Sequence, residues 1–263
     1  MTRPLFQVDA FTAEPFAGNP AAVCLLEDDA DPGWMQRVAA EMNLSETAFL
    51  RPGAEAGRYG LRWFTPTVEV PLCGHATLAS AAAVMERLEP GRGKVIFHTA
   101  SGALTVNRIN GGYAMDFPVR PSVPVATPPG LAEALGVVPV EVLSDTFNYI
   151  VLLENAQLVR DLAPDIAAIA RMDRSGVVVT APGDETYDFV SRYFAPAKGI
   201  PEDPVTGGAH CALAPYWAKR LGKTAFRAYQ ASRRGGEITC RLAGDRVELE
   251  GSCVFYLEGE VEI

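Results

Sequence analysis

Glu69-Val-Pro-Leu-Cys-Gly-His-Ala-Thr-Leu-Ala79 returns in altered form in the second half of the chain as Glu202-Asp-Pro-Val-Thr-Gly-Gly-Ala-His-Cys-Ala212. Aligned without gaps, the two stretches share Glu69/Glu202, Pro71/Pro204, Gly74/Gly207, Ala76/Ala209 and Ala79/Ala212. Each follows a matching strand pattern, Arg62-Trp-Phe-Thr-Pro66 before the first and Arg192-Tyr-Phe-Ala-Pro196 before the second. Further upstream, Ser45-Glu-Thr-Ala-Phe-Leu-Arg-Pro52 falls opposite Ser175-Gly-Val-Val-Val-Thr-Ala-Pro182 at nearly the same offset. The repeat therefore spans whole domains, not one motif.

Each copy reads as strand, proline, Gly-rich turn and small-residue helix, predicting helices over about 74–85 and 207–221. A helix start offers open backbone N–H groups and the positive end of the helix dipole. Two such starts facing one cleft would hold a small carboxylate. The plainer alternative is that these glycines only allow close helix–strand packing.

At 263 residues the length allows one domain or two, and the repeat decides for two. The boundary is expected in the Pro- and Val-rich stretch 118–129, dividing the chain into residues 1–118 and 119–263, and leaves open a return of the last strand to the first half. The net charge of −9 argues against nucleic acid or an anionic membrane as partner, since either calls for clustered Lys and Arg. The N-terminus lacks an apolar signal core and no apolar run is long enough to span a bilayer, so a cytoplasmic location is expected. Cys24, Cys73, Cys211, Cys240 and Cys253 show no CxxC spacing and are odd in number, which indicates neither a zinc site nor a disulfide framework.

Taken in order, the first half reads as strands at 5–11 and 21–26 around the turn Phe16-Ala-Gly-Asn-Pro20, whose composition is unusually specific. An amphipathic helix opened by Asp31-Pro-Gly-Trp follows, then strands at 46–50 and 59–64, the first Gly turn and helix, and a meander at 94–97, 104–108 and 113–117. Asn110-Gly-Gly112 is a hairpin turn. The second half reads as a short helix at 131–135, strands at 140–143 and 149–153, helices at 158–161 and 165–171, and strands at 176–181 and 187–194. The second Gly turn and helix come next, then four closing strands. The polar loop Gln230-Ala-Ser-Arg-Arg-Gly-Gly236 lies either beside a site or on plain surface.

No P-loop, GxGxxG after a strand, GxSxG elbow or HExxH helix is present, leaving acid/base chemistry. Glu46 opens an otherwise apolar strand, and its counterpart is Gly176, so symmetry does not require a carboxylate there. A carboxyl in apolar surroundings has its pKa raised, which suits a group that takes and returns a proton. A strand-end Glu that is solvated or caps an N–H fits the position equally well. His75 and Asp203 have the counterparts Gly208 and Val70, so each half would bring a different polar group to a shared cleft. A lone His is also often a satisfied capping or core residue, and His210 has the weaker claim of the two.

Together, Phe16-Ala-Gly-Asn-Pro20, Glu46-Thr-Ala-Phe49, Pro71-Leu-Cys-Gly-His-Ala-Thr77, Glu202-Asp-Pro-Val-Thr-Gly207 and Arg234-Gly-Gly236 resemble the PhzF-like family, named for an isomerase of phenazine biosynthesis. The resemblance runs essentially end to end. It implies an α+β fold like that of diaminopimelate epimerase: two pseudo-twofold-related domains, each a mostly antiparallel sheet curled around a central helix, with the active site between them. It implies no metal and no organic cofactor. By the same resemblance Glu46 is the catalytic acid/base, His75 and Asp203 are its polar partners, and Gly74, Gly207 and Gly208 form the turns that hold the substrate carboxylate, with Thr206 beside them. The family commonly carries Ser where this chain has Gly208, which leaves substrate choice open. The epimerase's two catalytic cysteines fall at Cys73 and Thr206, so a two-thiol racemase is disfavoured.

The reading is a cofactor-independent isomerase that moves a proton between carbons of a small carboxylate through Glu46. The alternatives are a non-catalytic binder that kept the cleft, or an epimerase. A homodimer is one assembly it could form.

Overall fold

The structure, a computed structural model, describes residues 2–262. The chain forms two compact units, one built from residues up to Asp116 together with those from Glu250 onward, the other from Phe117 to Leu249.

In the first unit, β1 (Thr2–Ala10) pairs antiparallel with β2 (Asn19–Leu25), and β2 runs parallel to β3 (Glu46–Pro52). Parallel neighbours need a crossover, and helix α1 (Pro32–Met42) supplies it, opened by the Asp31 side chain accepting from the Trp34 N–H. β3 pairs antiparallel with β4 (Arg58–Phe64), and β4 pairs antiparallel with β5 (Glu69–Val70). Helix α2 (Gly74–Ala83) carries the chain over to β6 (Lys94–Thr99), parallel to β4. A meander through β7 (Gly102–Ile109) and β8 (Gly112–Pro118) follows. The C-terminal strand, Cys253–Glu262, lies antiparallel to β1, so the first unit holds both ends of the described chain.

The second unit repeats this pairing order. β9 (Val123–Pro124) and β10 (Glu141–Ser144) are antiparallel, with helix α3 (Leu131–Leu135) between them, and β10 pairs antiparallel with β11 (Asn148–Leu152). Helices α4 (Ala156–Asp161) and α5 (Ile166–Ile169) cross to β12 (Gly176–Pro182), parallel to β11. β13 (Phe189–Ala195) then pairs antiparallel with β12 and with β14 (Ile200–Asp203). Helix α6 (Gly207–Leu221) crosses to β15 (Ala225–Gln230), parallel to β13, before β16 (Gly236–Ala243) and β17 (Arg246–Gly251). Position by position, β2–β3, β3–β4, β4–β5, β4–β6 and β6–β7 correspond to β11–β12, β12–β13, β13–β14, β13–β15 and β15–β16. The expected α+β class holds.

Helix α2 is buried on every side from His75 to Ala83. Its small side chains allow this, and its two hydroxyls turn back on the helix, Thr77 Oγ1 donating to the Cys73 carbonyl (2.6 Å) and Ser80 Oγ to that of Ala76 (2.7 Å). The α-helical ladder stops at Ala83, short of the expected Met85. Val84–Leu88 winds on as a π turn that closes with the Glu89 N–H on the Val84 carbonyl. The stretch 118–129, expected as a plain linker, contains β9. On the other face of the first sheet, Met35, Val38 and Ala39 of α1 pack with Leu5, Phe49 and Phe64. In the second unit, α3, α4 and α5 cover a core including Val151, Val179 and Phe194.

The repeated Glu69 and Glu202 have a structural task. Arg62 of β4 grips Glu69 with both ends of its fork (2.7 and 2.8 Å), and Arg192 of β13 grips Glu202 in the same way (2.6 and 3.0 Å). Each bidentate pair pins the strand to the turn that launches the next helix.

Candidate active site

Glu46 is the first residue of β3, opposite Ala21 in the parallel ladder, and is only 8% exposed. His75 is the second residue of α2, and its Nε2 lies 3.3 Å from Glu46 Oε2. Burial lowers the pKa of the ring to about 3, so this contact joins a neutral imidazole to a carboxyl group and is not an ion pair. On the opposite side of the ring, Nδ1 lies 3.1 Å from Asn19 Nδ2 and 3.5 Å from Cys73 Sγ.

The donor atoms of Glu46, Cys73 and His75 all fall within 4.8 Å of one another, close enough to raise the question of a metal. Cys73 and Glu46 flank opposite nitrogens of a single ring. One ion could not take the thiolate beside Nδ1 and the carboxylate beside Nε2 while both of those ring contacts remained. With the two side chains on opposite edges of one ring, the arrangement does not suit a chelate.

Asn19 was not among the candidates raised by the sequence. Its signal was the specific composition of Phe16-Ala-Gly-Asn-Pro20, which the structure explains. Gly18 has φ +65°, and a Cβ there would fall 2.2 Å from the Ala10 carbonyl oxygen, so only glycine fits. Phe16 also has positive φ (70°), and its N–H donates to Asp9 Oδ2 at 2.9 Å. The tight turn delivers Asn19, fully buried, to the start of β2.

In the second unit, Asp203 ends β14, 8% exposed, and accepts from Thr206 Oγ1 at 2.5 Å. Gln230, the buried last residue of β15, locks this turn: its Oε1 accepts from the Thr206 N–H (2.9 Å) while its Nε2 reaches the Asp203 carbonyl (2.7 Å) and Thr206 Oγ1 (3.1 Å). Sequence reasoning placed Gln230 only at the mouth of a polar loop. Its role depends on β15 lying parallel to β13, which no local pattern reveals. Thr206 precedes Gly207 and Gly208 at the start of α6, and Cys73 precedes Gly74 at the start of α2. Neither cap side chain covers the first amides of its helix, since Thr206 is committed to Asp203 and Cys73 lies against His75.

Arg120 joins the second turn by an indirect route. Pro215 lies inside α6 and has no N–H to offer the Cys211 carbonyl four residues back. The backbone N–H of Arg120 takes that carbonyl at 2.9 Å. The guanidinium lies over the Phe147 ring, and a Cβ added to Gly208 would meet its Nη1 at 3.1 Å.

His210 belongs to the core. Its Nδ1 lies 2.8 Å from the Thr206 carbonyl, its ring stacks on Phe189, which stacks in turn on Trp217, and burial lowers its pKa to about 4. The candidates thus gather as two groups: Glu46, Gly74 and His75 in the first unit, and Asp203, Thr206, Gly207 and Gly208 in the second.

The fold is shared with a probable proline racemase from Agrobacterium radiobacter, at a TM-score of 0.65 and 14% identity over 99% of this chain and 93% of its own. The PhzC-PhzF family model, described as phenazine biosynthesis-like protein, matches residues 8–259. A protein of Pseudomonas aeruginosa named an uncharacterized isomerase is 50% identical over 98% of this chain and 97% of its own. The crystal structure of a PhzF-family phenazine biosynthesis protein from Enterococcus faecalis matches with a TM-score of 0.95 at 41% identity, covering all of both chains. A hydroxyproline epimerase from Agrobacterium vitis shares the fold alone, with a TM-score of 0.64 at 14% identity over 99% of this chain and 92% of its own. The chain belongs to the PhzC-PhzF, phenazine biosynthesis-like, family, and it is an enzyme of the isomerase kind.

Proposed function

We propose that the enzyme moves a proton between two carbons of a small carboxylate, with Glu46 as the single acid/base. Glu46 takes a proton from an acidic C–H next to a conjugating group, the electron pair spreads into that group, and the Glu46 carboxylic acid returns the proton to another carbon. No bond to the enzyme forms and no redox partner is consumed. The observation that carries this reading is the contact between Glu46 Oε2 and the neutral ring of His75. A neutral ring beside the carboxyl does not fix it as an anion, as a charged partner would, and leaves it able to take and return a proton. In this reading His75 supports Glu46. The amides opening α2 and α6, with Gly74, Gly207 and Gly208, bind the substrate carboxylate, and Asp203, oriented by Thr206 and Gln230, hydrogen-bonds the reacting substrate.

An epimerase that uses two thiols is the weaker reading, since Cys73 has Thr206 as its counterpart and the Thr206 hydroxyl is engaged by Asp203. The acidic composition argues against a nucleic-acid or anionic-membrane partner, and since it gives an anionic substrate no long-range attraction, local groups must hold that substrate. Among the described residues no helix is long and apolar enough to cross a membrane. We assign the enzyme to the cytoplasm, as a homodimer, which light scattering of the purified protein tests. The catalytic reading is tested in D2O with a panel of small unsaturated carboxylates: label should enter a substrate carbon with the parent enzyme. A chain that binds such compounds and never exchanges their protons would be a binder instead.

A further inference from the structure

We propose that Asn19 is a positioning residue that sets the tautomer of His75, so that the imidazole carries its proton on Nε2, the nitrogen beside Glu46. Two groups converge on Nδ1: the Asn19 amide nitrogen at 3.1 Å and the Cys73 thiol at 3.5 Å. An amide NH2 can only donate, and a thiol donates weakly, so both place a lone pair on Nδ1. A neutral ring has one N–H, which then resides on Nε2, 3.3 Å from Glu46 Oε2.

The local fold holds Asn19 to this task. It pairs with Ala10 in the β1–β2 ladder and is fully buried. The positive-φ glycine before it and the Asp9–Phe16 contact fix the turn that delivers it. The turn Phe16-Ala-Gly-Asn-Pro20 thus serves a site far from it in sequence. The chemical consequence is directional. With the proton on Nε2, the Glu46 carboxylate has a donor and not a lone pair 3.3 Å away. With the opposite tautomer, a lone pair would face the carboxylate and Glu46 would have to stay protonated to avoid repulsion.

The catalytic meaning of this inference rests on the proposed role of Glu46, but the tautomer is read without substrate, so the two can fail separately. The chain has three histidines, so a long-range proton–nitrogen correlation spectrum of the full-length 15N-labelled protein resolves each ring, and a His75→Gln spectrum assigns the one of interest. The parent should show Nδ1 as the bare nitrogen and Nε2 as the protonated one. Asn19→Asp places an acceptor beside Nδ1 and should reverse the pattern, with deuterium exchange falling roughly tenfold or more as the geometry at Glu46 is lost. A parent spectrum with the proton on Nδ1 overturns the proposal, and that reading does not depend on whether the variant folds. A folded Asn19→Asp protein that keeps the parent tautomer overturns it equally.

Discussion

The ring of Tyr193 closes over Gly176, so that a Cβ at position 176 would fall 2.6 Å from Tyr193 Cε2 and 2.7 Å from its hydroxyl. Gly176 is the position in the second half that answers to Glu46. Where the first unit carries a carboxylate, the second fills the space with a phenol that donates to Asn148 Oδ1 at 3.0 Å and accepts from Lys198 Nζ at 3.1 Å. The two halves repeat their strand pairing, yet only the first has room for an acid at this point. That asymmetry supports the proposed single-base mechanism. Gly176→Ala should therefore destabilise the protein by roughly 1–3 kcal/mol through overpacking, read as a lower urea midpoint. An unchanged midpoint would mean that the Tyr193 ring is not fixed over this glycine.

Two buried histidines should make the enzyme acid-sensitive. Burial holds His75 and His210 neutral in the folded chain, with pKa values lowered to about 3 and about 4. Above the ordinary histidine pKa of about 6.5, folded and unfolded chains bind equal numbers of protons at these sites and stability is level. Below it the unfolded chain takes up protons that the folded chain refuses. Stability then falls by about 1.4 kcal/mol per pH unit for each ring, levelling only near the folded values. Urea midpoints measured across this range should drop on acidification, and His210→Gln should lose less than the parent. A parent midpoint that is flat across the range would contradict the burial of both rings.

Much of this was legible beforehand, for identifiable reasons. The duplicated strand–turn–helix showed in the sequence because its strand, its Arg–Glu brace and its Gly-opened helix are all local, so Arg62 and Glu69 reappear as Arg192 and Glu202 at similar spacing. Glu46 stood out as a carboxylate opening an apolar strand, and His75 as a polar group in the first Gly turn where the second has Gly208. The partners of the site were harder to see. Asn19 and Gln230 reach His75 and Asp203 across strands that meet only after a crossover, and the Arg120 bond to Cys211 exists because Pro215 frees a carbonyl. The return of the C-terminal strand to β1 could be left open but not decided, since strand patterns do not name their partners.

Thr206 and Gln230 should matter through Asp203. Gln230→Ala removes the amide that holds both the Asp203 carbonyl and Thr206, leaving buried groups without partners at a cost of roughly 1–3 kcal/mol. Asp203→Asn keeps a hydrogen-bonding group of the same shape and should lower turnover without abolishing it. Steady-state exchange rates and melting curves separate the two effects. If Asp203→Asn exchanges at the parent rate, Asp203 does not touch the reacting substrate.

Arg120 and Gly208 should set carboxylate affinity together. Arg120→Gln is expected to weaken binding of small carboxylates roughly tenfold or more, the scale of a charge-assisted hydrogen bond. Gly208→Ser should alter the preference among them by pressing on Nη1. Calorimetric titration with a series of mono- and dicarboxylates measures both, and unchanged affinities in both variants would place the carboxylate elsewhere.

Chelation should leave the enzyme unaffected. Cys73 and Glu46 approach different nitrogens of His75, so dialysis against EDTA is expected to change neither exchange rate nor stability. Loss of exchange that zinc restores would show that the three side chains rearrange around an ion.

The central claim is that Glu46 carries the proton, and Glu46→Gln tests it most directly. The variant keeps size and polarity and should bind carboxylate ligands with parent affinity. In D2O, on a compound that the parent labels, it should lose exchange at the substrate carbon by roughly a hundred- to ten-thousand-fold, the span of general acid/base catalysis. Labelling by Glu46→Gln at the parent rate would contradict the account and leave His75 as the next base to test.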